Sequence, residues 1–349
     1  MPARAAEVAG LLASPRPLAS AYDVALTDLD GVVYLGASAV PGAPEALVAA
    51  VAAGLRIVYV TNNAARTPSA IAAQLAALGA PARATDVVTS AQAGARLLAE
   101  RLPAGSEVLV VGGTGLRSAV RERGFRPVSV ASDRTAAVIQ GYAPDISYSL
   151  LTEGTLAVQA GALFVASNAD RTLPTPRGRQ PGNGALIRVI ATATGREPLV
   201  AGKPEPPLLA EAVARSGARR PLVVGDRLDT DIEGAVRVGT DSLLVLTGVS
   251  RPLDAVLAPA QRRPSYLAES LSGLLTPHPP VASGDDGFRC GGWLVRPAPG
   301  QFVVEGAGER IDGLRALCAA AWSGAGTAAS AVTGALGQLG YRTALLPRE

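Results

Sequence analysis

A chain of 349 residues exceeds one typical domain and allows two or three. Apolar residues make up 48% and aromatics 4%, so the buried cores it can fill must be aliphatic. The formal charge of +3, from 32 basic and 29 acidic residues, is too small to argue for nucleic acid, and no basic run is interleaved with aromatics.

The first twenty residues are alanine-rich but interrupted by Pro15 and Pro17. They carry no leader pattern and no run of membrane-spanning length, so the expectation is a soluble cytoplasmic protein with no membrane partner. From about residue 22, short aliphatic runs alternate with helix-period segments, as in parallel α/β folds. A strand over 24–28 ends in Asp28-Leu29-Asp30-Gly31. In extended backbone, residues i and i+2 point to the same side, so both carboxylates can face one pocket. Two such charges need a cation or a shared proton, which favours a hard divalent metal. A strand ending in turn-forming acidic residues is the competing reading. A helix over 44–53 and a strand over 56–60 follow, leading into Thr61-Asn62-Asn63. These hydroxyl and amide groups can donate to an anion or simply form a turn and cap the helix over 68–78.

The strand 87–90, the helix 91–101 and the strand 107–111 continue the alternation, with a hinge near residue 86. Beyond it lie helices over 115–123 and 149–160 and strands over 136–141 and 162–166. Gly112-Gly113-Thr114-Gly115 hints at a dinucleotide loop, but Ser118 stands where the third glycine belongs and no acidic residue follows appropriately, so no nucleotide cofactor is expected. Asn168-Ala169-Asp170-Arg171 comes next, then Gly182-Asn183-Gly184 before a helix over 185–194. The strand 198–201 runs into Gly202-Lys203-Pro204, where a lysine taken alone reads as a solvated surface group. The helix 205–216 and the strand 221–225 lead to Gly225-Asp226, with Asp231 five residues on, then a helix over 231–238 and a strand over 242–246.

Residues 276–287 shift to Thr-Pro-His-Pro-Pro and Ser-Gly-Asp-Asp-Gly, a linker signature. The only histidine, His278, lies there, which removes histidine general-base chemistry and a Ser-His triad. Past it, Trp293–Val295 and Gln301–Val304 read as a hairpin and Ile311–Trp322 as an amphipathic helix. Cys290 and Cys318 match no zinc spacing and read as reduced, semi-buried thiols.

An acidic pair, a hydroxyl-amide loop, a lysine, then Gly-Asp with a further Asp: over residues 20 to 275 this order resembles the four motifs of the haloacid dehalogenase superfamily. The match is to its phosphatase branch with a large α/β cap between the second and third motifs. Gly225–Ile232 and Asn168–Thr175 are its most specific wording. Within that branch the chain is most similar to actinobacterial glycerol-3-phosphate phosphatases, whose C-terminal extension is described as related to acetyltransferase domains. The resemblance implies an α/β fold: a Rossmann-like core over 20–85 and 194–275, an inserted α/β cap over 86–193, and a small α+β extension over 288–349. That extension is short for a complete acetyl-CoA-binding domain and has no glycine-rich pyrophosphate loop with basic flanks, so it reads as a docked appendage without a reaction of its own.

The resemblance also implies roles. Asp28 is the nucleophile, forming an aspartyl-phosphate, and Asp30 the acid and base. Mg²⁺ is held by Asp28, the backbone carbonyl of Asp30, and Asp226, while Asp231 orients the metal's water shell. Thr61, Asn62 and Asn63 bind the phosphoryl group, and Lys203 neutralises its charge. Asn168, Asp170 and Arg171 lie in the cap segment directed at substrate, or else Asn168 and Asp170 hold that loop's own turn. The expected reaction is Mg²⁺-dependent hydrolysis of a small phosphorylated metabolite, glycerol 3-phosphate first, with phosphoglycolate and aryl phosphates as alternatives. A silent phosphate-ester binder and a bifunctional enzyme with an acyltransferase tail are the competing classes. Nucleic acid is not an expected partner; a homodimer through the cap is left open.

Overall fold

The computed structural model describes residues 10–175, 177–324 and 327–342, without the side chains of Pro174 and Thr175. The chain divides into two compact units, one within 1–35, 39–56 and 219–349, the other within 36–38 and 57–218.

In the first unit, four parallel strands stand in the order Tyr266–Ala268, Asp241–Val245, Pro221–Gly225, Val24–Thr27. Their registers pair Val24 with Pro221, Leu222 with Asp241 and Leu243 with Tyr266. Val24–Thr27 is buried along its whole length, as expected of a parallel strand covered on both faces. Its C-terminal end therefore delivers Asp28 where the backbone leaves the sheet.

A second, antiparallel sheet of four strands is built from Ala282–Gly284, Gly287–Cys290, Trp293–Ala298 and Gln301–Gly306, followed by helices Arg310–Ser323 and Ala329–Gln338. One apolar cluster joins Leu228, Ile232, Leu244 and Leu267 to Leu314, Leu317, Trp322 and Leu336. The C-terminal elements thus share a core with the parallel strands before them.

The second unit takes in Ile57–Thr61 of the strand Arg56–Thr61, which pairs in parallel with Val87–Thr89. Thr67 caps the helix Pro68–Ala77, and Thr89 with Gln92 forms the capping box of Ser90–Ala99. A five-stranded parallel sheet follows, in the order Leu199–Val200, Leu163–Ala166, Thr135–Gln140, Glu107–Val111, Arg126–Val128. Helices Tyr148–Gln159 and Asn183–Thr194 pack on it through Val138, Ala157, Val158, Ile187 and Ile190.

Four expectations need correction. The stretch 276–287 is not a linker: His278 is buried, its backbone bridges to Ser14, and its ring lies edge-on to Tyr266. Asp285-Asp286 form the turn between two paired strands, so the polar residues that suggested a linker are hairpin chemistry. The helix over 231–238 is α-helical only across Glu233–Arg237 and enters through a wide π turn, Leu228–Ile232. The helix Arg310–Ser323 is buried almost all round rather than amphipathic, Arg315 included. Both cysteines are free and fully buried, further inside than expected. Among the described residues, no helix is long and apolar enough to cross a membrane.

Candidate active site

In the first unit the acidic motifs meet at strand ends. Carboxylate oxygens of Asp28, Asp226 and Asp231 all lie within 4.8 Å of one another. Asp226 follows Pro221–Gly225 directly and is fully buried. Its Oδ2 accepts from the Val249 N–H at 2.6 Å, while its Oδ1 is buried with no hydrogen-bond partner. Gly31 and Gly248 close round this carboxylate: a Cβ on either would sit 2.4 or 2.0 Å from Oδ2. Gly31 also holds φ +82°, where a side chain is strained.

Asp231 arrives by the π turn. Its own N–H and that of Ile232 both donate to the Arg227 carbonyl, which widens the turn and brings the Asp231 carboxylate back to accept from the Arg227 N–H at 3.2 Å. Gly225 is needed beneath it, since a Cβ there would meet the Asp231 carboxylate at 2.2 Å. Burial, then the charges of Asp231 and Asp28, push the Asp226 carboxyl up to about 8. Converging oxygens, one of them orphaned and buried, fit a hard divalent cation. Asp30 is exposed and is not a member of that set of three, and its backbone is bridged to Tyr34.

In the second unit the remaining motifs surround Asn62. Its Oδ1 accepts from the Lys203 N–H at 2.8 Å, and its Nδ2 donates to the Lys203 carbonyl and to Asp170 Oδ2, each at 3.1 Å. Its own carbonyl accepts from Ser90 Oγ at 2.6 Å and Asn168 Nδ2 at 2.7 Å. Lys203 is buried, with Nζ donating to the Val60 carbonyl at 3.0 Å, so the surface reading of this lysine fails. Thr61 is buried and its Oγ1 accepts from the Asn63 N–H. Asn63 is exposed and its Oδ1 accepts from the N–H groups of Ala65 and Arg66, which holds its own turn. Gly115 serves a close approach to that turn, because a Cβ would lie 2.4 Å from the Arg66 carbonyl oxygen.

Asn168 is buried and its Oδ1 accepts from the Asp170 N–H, a local turn. Arg171 is exposed and lines a cleft of about 510 Å³ with Ile187, Arg188 and Glu197. Sequence reasoning missed Val249, Ser90 and Asn183, whose Nδ2 donates to the Asn168 carbonyl at 2.7 Å. Val249 had a signal: Thr247-Gly248-Val249-Ser250 follows the end of a parallel strand, where ligands of such sheets collect.

Comparison with known proteins identifies the family. The sequence profile of haloacid dehalogenase-like hydrolases matches residues 25–126, and a second, HAD-hydrolase-like profile matches 200–274. D-glycerol 3-phosphate phosphatase of Mycobacterium tuberculosis is 49% identical over 259 residues, which are 74% of this chain and 72% of that protein. The chain belongs to the haloacid dehalogenase-like hydrolases. An acid sugar phosphatase of Staphylococcus aureus is 37% identical over 231 residues, 66% of this chain and 88% of its own. The crystal structure of a glycerol phosphate phosphatase from M. tuberculosis in complex with magnesium superposes with a TM-score of 0.83 at 42% identity, covering 93% of this chain and 99% of that one. A GCN5-related N-acetyltransferase-like profile matches only residues 290–341 of the haloacid dehalogenase-like chain.

Proposed function

We propose that this chain is a Mg²⁺-dependent phosphomonoesterase whose substrate is glycerol 3-phosphate. The reaction rests on the convergence of Asp28, Asp226 and Asp231 with the orphaned Oδ1 of Asp226 among them. The substrate rests on the 49% identity to a glycerol 3-phosphate phosphatase. Asp28 attacks phosphorus; its new O–P bond forms as the ester O–P bond breaks, and Asp30 gives its proton to the departing glycerol oxygen. Asp30 then takes a proton from the water that attacks the aspartyl-phosphate, releasing inorganic phosphate and restoring the Asp28 carboxylate. Asp28, Asp226 and the Asp30 carbonyl would hold Mg²⁺, with Asp231 positioned to order its waters. Bound there, the ion supplies positive charge against the phosphoryl oxygens. Thr61, the turn at Asn63 and Lys203 take up the remaining phosphoryl charge.

The division into a core over 20–85 and 194–275, a cap over 86–193 and an extension over 288–349 is part of the proposal. Asn168, Asp170 and Arg171 then belong to the cap's substrate segment. Two free, buried thiols suit a reducing cytoplasm. A homodimer through the cap is part of the proposal, and a monomer mass by light scattering would overturn that point.

Phosphate release is the test, measured across glycerol 3-phosphate, phosphoglycolate, a sugar phosphate and 4-nitrophenyl phosphate. Glycerol 3-phosphate should give the highest kcat/KM, with activity lost in chelator and restored by Mg²⁺. Asp28→Asn should lower turnover by more than about a thousandfold, since an amide cannot form the acyl phosphate. Turnover of that variant within tenfold of the parent would rule out the covalent route.

A further inference from the structure

We infer that Asn62 is a positioning residue that couples the Asn168–Arg171 loop to Lys203, and that its side chain does not ligate the phosphoryl group. The inference deepens the phosphatase reading and rests on it. A primary amide has two N–H hydrogens and one acceptor oxygen. Both Asn62 Nδ2 hydrogens have acceptors, the Lys203 carbonyl and the Asp170 carboxylate, and Oδ1 takes the Lys203 N–H. A phosphoryl oxygen only accepts hydrogen bonds, so it could gain Asn62 only by displacing one of these partners.

What the amide does instead is hold Lys203 from both sides of its backbone, as a neighbouring strand would. The approach is close because of Gly202, where a Cβ would lie 2.6 Å from Asn62 Oδ1 and 2.7 Å from the Ser167 carbonyl oxygen. The Lys203 amine, fixed also on the Val60 carbonyl, therefore follows the placement of Asn62.

The other end of the coupling is equally fixed. Asp170 sits in a loop whose carbonyls are gripped one after another: Asn168 by Asn183 Nδ2, Asp170 by the Gly184 N–H at 2.8 Å, Arg171 by the Gly182 N–H at 2.9 Å. Side chains at 182 and 184 would collide with the Asp170 and Ala169 carbonyls at 2.3 Å, so this grip requires both glycines. Asn168 returns a second bond to the Asn62 carbonyl, beside that of Ser90. The loop and the lysine thus move as one body, with Asn62 as the joint.

A double-mutant cycle tests this on 4-nitrophenyl phosphate, which has no glycerol hydroxyls for Asp170 to touch. Asn62→Ala should lower kcat about 30-fold or more, with KM changed less than about threefold, and Asp170→Ala should lower kcat about tenfold. The double variant should be no worse than about threefold below Asn62→Ala, because each change breaks the same joint. Asn62→Asp should be as harmful as Asn62→Ala, because a carboxylate there has no hydrogen for the Lys203 carbonyl. Losses that multiply, or a KM rise at unchanged kcat, would overturn the inference and make Asn62 a substrate ligand. If the parent released phosphate from no substrate, the phosphatase reading would fail instead. The same cycle read in urea unfolding then decides the joint: a double-variant midpoint equal to that of the worse single variant upholds it, and additive midpoints overturn it.

Discussion

Asp226 shows how far one side chain can be set against its own fold. It is fully buried, two glycines press on it, and two further aspartates crowd it. Burial and the two neighbouring carboxylates push its carboxyl from the ordinary 3.8 up to about 8. Between those values the folded state keeps a proton that the unfolded chain has lost, so metal-free stability falls as pH rises through that window. A bound divalent cation replaces the proton. Differential scanning calorimetry should therefore give a metal-free Tm that drops from about pH 5 to about pH 8, and Mg²⁺ should raise Tm far more at the higher pH. Asp226→Asn should flatten the pH dependence and remove the Mg²⁺ increment. A Tm insensitive to both would mean that no cation belongs among these carboxylates.

At the scale of elements, the helix Asn183–Thr194 matters for what precedes it. Its entry, Gly182-Asn183-Gly184, organises a loop through backbone carbonyls, so the loop's shape does not depend on its own side chains alone. Asn168 and Asp170 face inward to turn and joint, whereas Arg171 is exposed over the cleft beside Ile187 and Glu197. Under the proposed substrate segment, that separation leaves Arg171 as the residue of the three to select substrates. Arg171→Ala should cost about 1–3 kcal/mol of kcat/KM on glycerol 3-phosphate relative to 4-nitrophenyl phosphate. Equal losses on both would leave Arg171 without a part in selection.

Across the molecule, the C-terminal elements within 288–342 behave as part of the first unit's core. Trp322 packs in the shared cluster and its Nε1 donates to the carbonyls of Ala255 and Val256. Arg315, buried, donates to the Leu267 carbonyl on a parallel strand and to His278 Nδ1. Trp322→Ala should lower unfolding free energy by about 3–5 kcal/mol. Urea unfolding followed by far-UV circular dichroism should keep one transition for the first unit, moved to lower urea. A new early transition, with the rest unchanged, would show the C-terminal elements to be an independent module.

The sequence by itself determined the family, the alternation of strand and helix, and the strand ends that carry Asp28, Thr61, Lys203 and Asp226. Those follow from local rules: aliphatic runs, caps and turn residues are read within a few positions of one another. Only the tertiary structure decided which groups meet. Asn62 and Lys203 are 141 residues apart, so nothing local could tell a phosphoryl ligand from a clamp on the lysine. The π turn that directs Asp231 back to Asp226 differs from an ordinary helix start by one hydrogen-bond register. His278 reads as linker because prolines flank it, and becomes core because Tyr266 and Arg315 arrive from distant strand and helix. Burial, hydrogen-bond satisfaction and like-charge crowding are properties of neighbours in space, and the chain order lists those neighbours far apart.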